Sequence, residues 1–268
     1  MNFNIASSAA IHNTAQTWAQ KVFTNGGAYP SGNTIRALSD FMGGLDSNDL
    51  TSKMISVVCF VPDNLTAAIT PLYQISGRNP WLNTNFVAGD LTINGLVGDA
   101  SSKYLKTGLS ASMFPSTSSC GLSLYNSSAA TGTQIDFGCS VTTDHMYMAI
   151  DYQGVGQIFD CLTNTTPRLS STNTGYTGFS SGNKTSPTEC RVDHAKSTST
   201  YNTFMSQSIA TGLATNDEFF MFAINPVQTY SSKRFSFAAV HHGLSFNDGK
   251  NFYNLVQDMR QRLGGGYV

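Results

Sequence analysis

The stretch His145-Met146-Tyr147-Met148-Ala149-Ile150-Asp151-Tyr152 alternates with period two: Met146, Met148 and Ile150 fall on one face, Tyr147, Ala149 and Asp151 on the other. Successive side chains of a strand point to opposite faces, so the pattern predicts a strand with one face in a core. Similar short β-prone runs flank it at 90–93, 103–105, 121–125, 134–139, 157–161, 189–193, 219–224 and 235–241. Gly, Asn, Ser and Pro separate them, and no helical pattern is interleaved. Many short strands of this kind predict a mainly β fold of two sheets, each burying one face against the other. Residues 163–188 are so rich in Ser, Thr, Asn and Gly that they read as long surface loops.

Outside this region the periodicity changes. Ile11, Ala15, Trp18, Ala19 and Val22 recur at helical spacing, and Asn25-Gly26-Gly27 stops the run. A second helix is predicted from Asn33 as N-cap, with Ile35, Leu38 and Met42 on one face and Gly43-Gly44 as its end. Helices are also expected over 50–59 and 65–73, although Val57, Val58 and Ile69 suit a strand equally. Near the C-terminus Ser245 and Asp248 make a capping box. It opens a helix with the apolar stripe Phe252, Leu255, Val256, Met259 and Leu263. The expected organisation is a mostly helical anchoring region, 1–80, followed by a β domain, 81–268, that ends in this helix.

Composition narrows the function. Of 268 residues only 12% are charged, against a usual ~25%, and the net charge is −1. No cationic stripe is present to displace counterions from phosphates, so nucleic-acid binding is not expected. No stretch approaches 18 apolar residues, so no membrane span is expected. The opening Met1-Asn2-Phe3-Asn4 lacks a basic segment followed by an apolar run, so no signal peptide is expected. The five cysteines form no C-x-x-C pair and read as buried free thiols of a protein folded in a reducing cytosol.

Motifs for catalysis are thin. A glycosidase needs two carboxylates flanking the scissile bond, and the only glutamates, Glu189 and Glu218, are far apart in the chain. A pair of aspartates such as Asp136 and Asp151 could still converge in space. Gly178-Phe179-Ser180-Ser181-Gly182 matches G-x-S-x-G, with Asp193 or Asp217 and then His241 in hydrolase order. A nucleophile elbow needs a strand before the serine and a helix after it, whereas Asn183-Lys184-Thr185-Ser186-Pro187 reads as a loop. His241-His242 on a strand diverge and cannot chelate one metal. No catalytic residue, metal or cofactor is assigned. Two aromatics among amides and hydroxyls, Trp81 and Tyr176, are the candidate sugar-stacking residues. For Trp81, burial where the helical region joins the β domain is the competing reading.

Further residues carry a resemblance. Phe86-Val87-Ala88-Gly89-Asp90, Gly95-Leu96-Val97-Gly98-Asp99, Ser102-Lys103-Tyr104-Leu105 and His242-Gly243-Leu244-Ser245 resemble segments of concanavalin A-like (LamG-type) jelly rolls in bacteriophage and prophage proteins. The resemblance implies a two-sheet jelly roll in a virion protein without shared catalytic residues. Gly89, Asp90, Gly95, Leu96, Gly98, Asp99, Lys103, Tyr104, Leu105, Gly243 and Leu244 would then be structural. The expectation that follows is a non-enzymatic virion component, assembled in the host cytoplasm and displayed as a head fibre, tail fibre or capsid-associated protein. Its expected partners are other virion proteins, further copies of itself (a trimer among the options) and host-surface glycans. Pure capsid decoration is the first alternative and glycan depolymerisation a distant one.

Overall fold

The computed structural model describes residues 10–128, 134–140, 145–152, 158–163, 169–170, 177–196, 201–207, 216–225 and 229–265. Helix α1 (Asn13–Thr24) buries Ala15, Trp18, Ala19 and Val22, the stripe that the spacing predicts. Helix α2 (Gly32–Ser47) is capped by Ser31 rather than Asn33 and runs through Gly43-Gly44. Gly44 belongs to a helix contact, since a Cβ there would lie 2.3 Å from the Leu255 side chain.

The strands follow in chain order. They are β1 (Met54–Cys59), β2 (Tyr73–Gln74), β3 (Leu82–Thr84), β4 (Leu91–Thr92), β5 (Gly95–Val97), β6 (Tyr104–Ser110), β7 (Cys120–Asn126) and β8 (Phe137–Ser140). Then come β9 (His145–Ala149), β10 (Ile158–Thr163), β11 (Leu169–Ser170), β12 (Gly178–Lys184), β13 (Cys190–Ala195), β14 (Asn202–Gln207), β15 (Glu218–Met221) and β16 (Arg234–His241). A short helix, α3 (Leu65–Ile69), follows β1, and α4 (Phe246–Arg262) follows β16.

One sheet runs β14-β13-β12-β7-β16-β1-β2, with β5 on β16 and β4 on β5; the other runs β11-β10-β9-β8-β15-β6-β3. All the ladders between named strands are antiparallel. The fold is a two-sheet β-sandwich, as the alternation predicts. Leu122, Leu124, Val192 and Val240 of the first sheet meet Phe137, Met146, Met148 and Phe219 of the second in a continuous core. A second apolar layer lies on the outer face of the first sheet. There Trp18, Leu38, Phe41, Phe252 and Val256 of α1, α2 and α4 pack on Val57, Tyr125, Phe179 and Phe237.

Three expectations are corrected. The helix expected over 50–59 is β1, where Ile55, Val57 and Val58 suit a strand buried on both faces between β16 and β2. The region expected as surface loops contains β12, paired on both sides by β7 and β13. Its small residues serve close packing: a Cβ on Gly182 would lie 2.5 Å from the Phe159 ring. The division at residue 80 cuts through a sheet, because β1 and β2 belong to the sandwich and the first two helices cover its face. Among the described residues no helix is long and apolar enough to cross a membrane.

Candidate functional site

The segment 86–105 is held by its own polar contacts. Asp99 accepts from the backbone N–H groups of Ser101, Ser102 and Lys103 and from the Ser102 hydroxyl. Burial works to raise its pKa, but these bonds outweigh it and hold the carboxyl well below the usual carboxylate range. Lys103 Nζ reaches Asp90 at 2.6 Å, and Asp90 also receives Val87 N–H. Gly89 sits exposed in the turn beside it. Gly95 has φ +110°, and Gly98 lies where a Cβ would be 1.9 Å from the Ser231 carbonyl oxygen. Leu96 and Leu105 are core residues, and Tyr104 stacks on Phe220 with centroids 5.1 Å apart.

The sugar-stacking expectation for Trp81 is corrected. Its ring is 1% exposed in the core, against Phe137 at 6.1 Å, so it offers no face to a ligand. Tyr176 lies outside the described residues. Asp136 is fully buried against Lys233 and accepts Ile150 N–H, while Asp151 is 3% exposed, so this pair opens to no cleft. The G-x-S-x-G serines stand on β12 and are fully buried. Ser180 bonds His194 Nδ1 at 2.9 Å, and the strand continues to Lys184 without an elbow.

A site that the motifs do not mark lies at one end of the first sheet. Thr185 and Glu189 of the β12–β13 turn, Arg191 of β13, Thr203 and Ser206 of β14, and Gly243, Ser245, Phe246 and Asp248 line a cleft of about 560 Å³. The turn is tied by Thr185 Oγ1 to Glu189 Oε2 at 2.7 Å and by Glu189 N–H to Ser186 Oγ at 2.9 Å. Glu189 keeps 51% of its side chain exposed.

Arg191 is held from below. Its Nε donates to Asp193 Oδ2 at 2.9 Å, its Nη2 to the Leu244 carbonyl, and its Nη1 faces Glu189 Oε1 at 3.5 Å. Asp193 has no exposure and also accepts from Tyr201 OH at 3.1 Å and Thr203 Oγ1 at 2.8 Å. Burial pushes the Asp193 pKa up, against the pull of Arg191 and these hydroxyl donors.

The opposite wall is the start of α4. The Leu244 peptide is gripped on both sides, its N–H donating to Asn183 Oδ1 at 3.0 Å and its carbonyl accepting from Arg191. Gly243 permits this approach, because a Cβ there would stand 1.8 Å from the Lys184 carbonyl oxygen. The capping box then forms as the sequence predicts: Ser245 Oγ accepts Asp248 N–H, and Asp248 Oδ2 accepts Ser245 N–H. Lys53 Nζ adds a 2.7 Å ion pair to Asp248. Burial works to raise the Asp248 pKa, but the bonds from Lys53 and Ser245 prevail and lower it. Phe246 is 38% exposed, with its ring 5.4 Å from that of Tyr201.

No family model matches the chain, and no curated protein matches it. Solved structures do resemble it. One is an arabinofuranosidase complexed with arabinofuranosyl-alpha-1,2-xylobiose (11% identity, TM-score 0.45, 63% of this chain and 42% of that one). Another is domain 4 of a GH43 extracellular arabinanase from Geobacillus stearothermophilus with arabinotriose (11%, 0.45, 75% and 98%). A third is a GH54 α-L-arabinofuranosidase soaked with a cyclic sulfate inhibitor (9%, 0.43, 65% and 42%). The chain thus spans 42% of the length of the first and third. Their likeness reaches the fold alone.

The expectation of a non-enzymatic virion component is not met among these neighbours, which are glycoside hydrolases and a domain of one. Spacing along the chain does not reveal that folding brings Glu189 and Asp248 to the walls of one cleft.

Proposed function

We propose that this protein is a carbohydrate-recognising β-sandwich and that the cleft between β13, β14 and the start of α4 receives the sugar. The observation that carries the reading is the Arg191–Glu189 pair, fixed by buried Asp193 and facing a cleft that also presents the Phe246 ring. Sugar recognition needs directed donors and acceptors for vicinal hydroxyls and an apolar surface for the C–H face of the ring. Glu189 supplies acceptors, and Thr185, Thr203, Ser206 and Ser245 supply hydroxyls. The cleft volume falls within the ~300–1,000 Å³ of small-molecule sites.

A second reading follows from one feature: two carboxylates, Glu189 and Asp248, line the cleft. Glycoside hydrolysis uses such a pair, one as acid and one as base or nucleophile. The lowered pKa of Asp248 suits the ionised role in such a pair.

Titration calorimetry against neutral pentose and hexose oligosaccharides tests the first reading, and assay of the same mixtures for new reducing ends tests the second. Phe246→Ala is expected to weaken binding about fivefold to tenfold, the worth of ~1 kcal/mol of ring contact. Absence of binding at millimolar sugar, or affinity indifferent to Phe246→Ala, overturns the recognition site.

A further inference from the structure

The charges of the cleft suggest which sugars it takes. Three carboxylates, those of Glu189, Asp193 and Asp248, face two cations, Arg191 and Lys53. One negative charge is therefore in excess. The pairs are not equivalent. Asp193 is fully buried at 2.9 Å from Arg191 Nε, and Lys53 meets Asp248 at 2.7 Å. Glu189 stands half exposed with its Oε1 3.5 Å from Arg191 Nη1, a loose contact at the solvent end of the guanidinium.

Arg191 is 7% exposed, and its Nη1 faces Glu189 Oε1. An arginine edge of this kind binds carboxylates in preference to hydroxyls, because the planar fork matches two anionic oxygens. Here that edge is already claimed. An acidic sugar entering the cleft would meet the Glu189 carboxylate before it met the arginine. Asp248 on the other wall is already paired with Lys53, so neither leaves a free cation for an acidic sugar.

We infer that Glu189 is a specificity-determining residue that makes the cleft select neutral sugars and reject uronic acids. Glu189 shields Arg191 from anionic ligands while offering its own oxygens to sugar hydroxyls. The inference rests on the reading of the cleft as a glycan site.

The test compares the full chain and Glu189→Gln against a neutral oligosaccharide and its counterpart carrying a uronic acid at the same linkage, by calorimetry at low salt. The wild-type chain is expected to favour the neutral ligand by about twofold to fivefold, the worth of one like charge at a half-exposed site. Glu189→Gln keeps the shape, removes the charge and leaves Arg191 open, so the preference should vanish or invert. Raising ionic strength should narrow the wild-type preference as well. Equal wild-type affinity for both ligands overturns the inference, as does an unchanged ratio in Glu189→Gln. If the wild-type chain binds neither ligand, the glycan reading itself falls and takes this inference with it.

Discussion

His241 shows how a single buried polar residue is accommodated under the helical layer. Its Nδ1 lies 2.7 Å from the His242 carbonyl, which only accepts, so Nδ1 carries the proton and Nε2 accepts from Ser123 Oγ at 2.7 Å. Ser123 is bonded in turn to Ser181, and Ser181 to Asn183. Burial lowers the pKa of His241 to about 4, and that of His194 likewise. A histidine whose folded pKa is depressed stabilises the fold fully above its unfolded value of 6.5, and that contribution is lost as pH falls toward 4. Each group changes stability by ~1.4 kcal/mol per pH unit in that window. Asp136 and Asp193, whose pKa values burial raises, act in the opposite sense, so the comparison must be differential. His241→Asn is expected to lower the denaturation midpoint at pH 7 and to flatten its fall between pH 6.5 and 4. A variant with the wild-type slope would show that His241 is not the group that titrates.

At the scale of elements, β13 and α4 together make the site, and their legibility differs. Glu189, Arg191 and Asp193 recur at i, i+2 and i+4, so a strand places them on one face. That signal is present in the sequence, but it is not a pair of glutamates. The start of α4 was readable outright, since Ser245 and Asp248 have local bonding partners and need no tertiary contact to recognise each other. Ser245→Ala should cost about 1 kcal/mol of stability, read by chemical denaturation. It should also weaken sugar binding, because the cap fixes the wall that carries Phe246 and Asp248. β12 was not readable: Ser181 and Asn183 look like loop residues until the bonds beneath α4 that satisfy them are known.

For the whole molecule, three layers behave as one unit. Trp18 of α1 is 1% exposed and donates from Nε1 to the Thr70 carbonyl at 2.9 Å, so the first helix is fastened to the segment that leads into β2. Cys59 of β1 lies against Met259 of α4 at 3.3 Å, with burial pushing the thiol pKa far up. Trp18→Ala should therefore destabilise the entire sandwich by about 3–5 kcal/mol, seen as a shift of one cooperative transition. An independent arm would instead leave the main transition in place and show a separate, earlier one.

The sequence alone determined the class of fold, the stripe of α1 and the cap of α4, because period-two alternation, helical spacing and capping are set by neighbours a few residues apart. It did not determine the membership of β1 and β12 in the first sheet. Their fit depends on Phe159 lying on Gly182 and on helices covering the outer face. The cleft was decided by tertiary structure as well. Glu189, Arg191 and Asp248 meet only because the Leu244 peptide is pinned between Asn183 and Arg191, and no local pattern encodes a contact between segments so far apart in the chain.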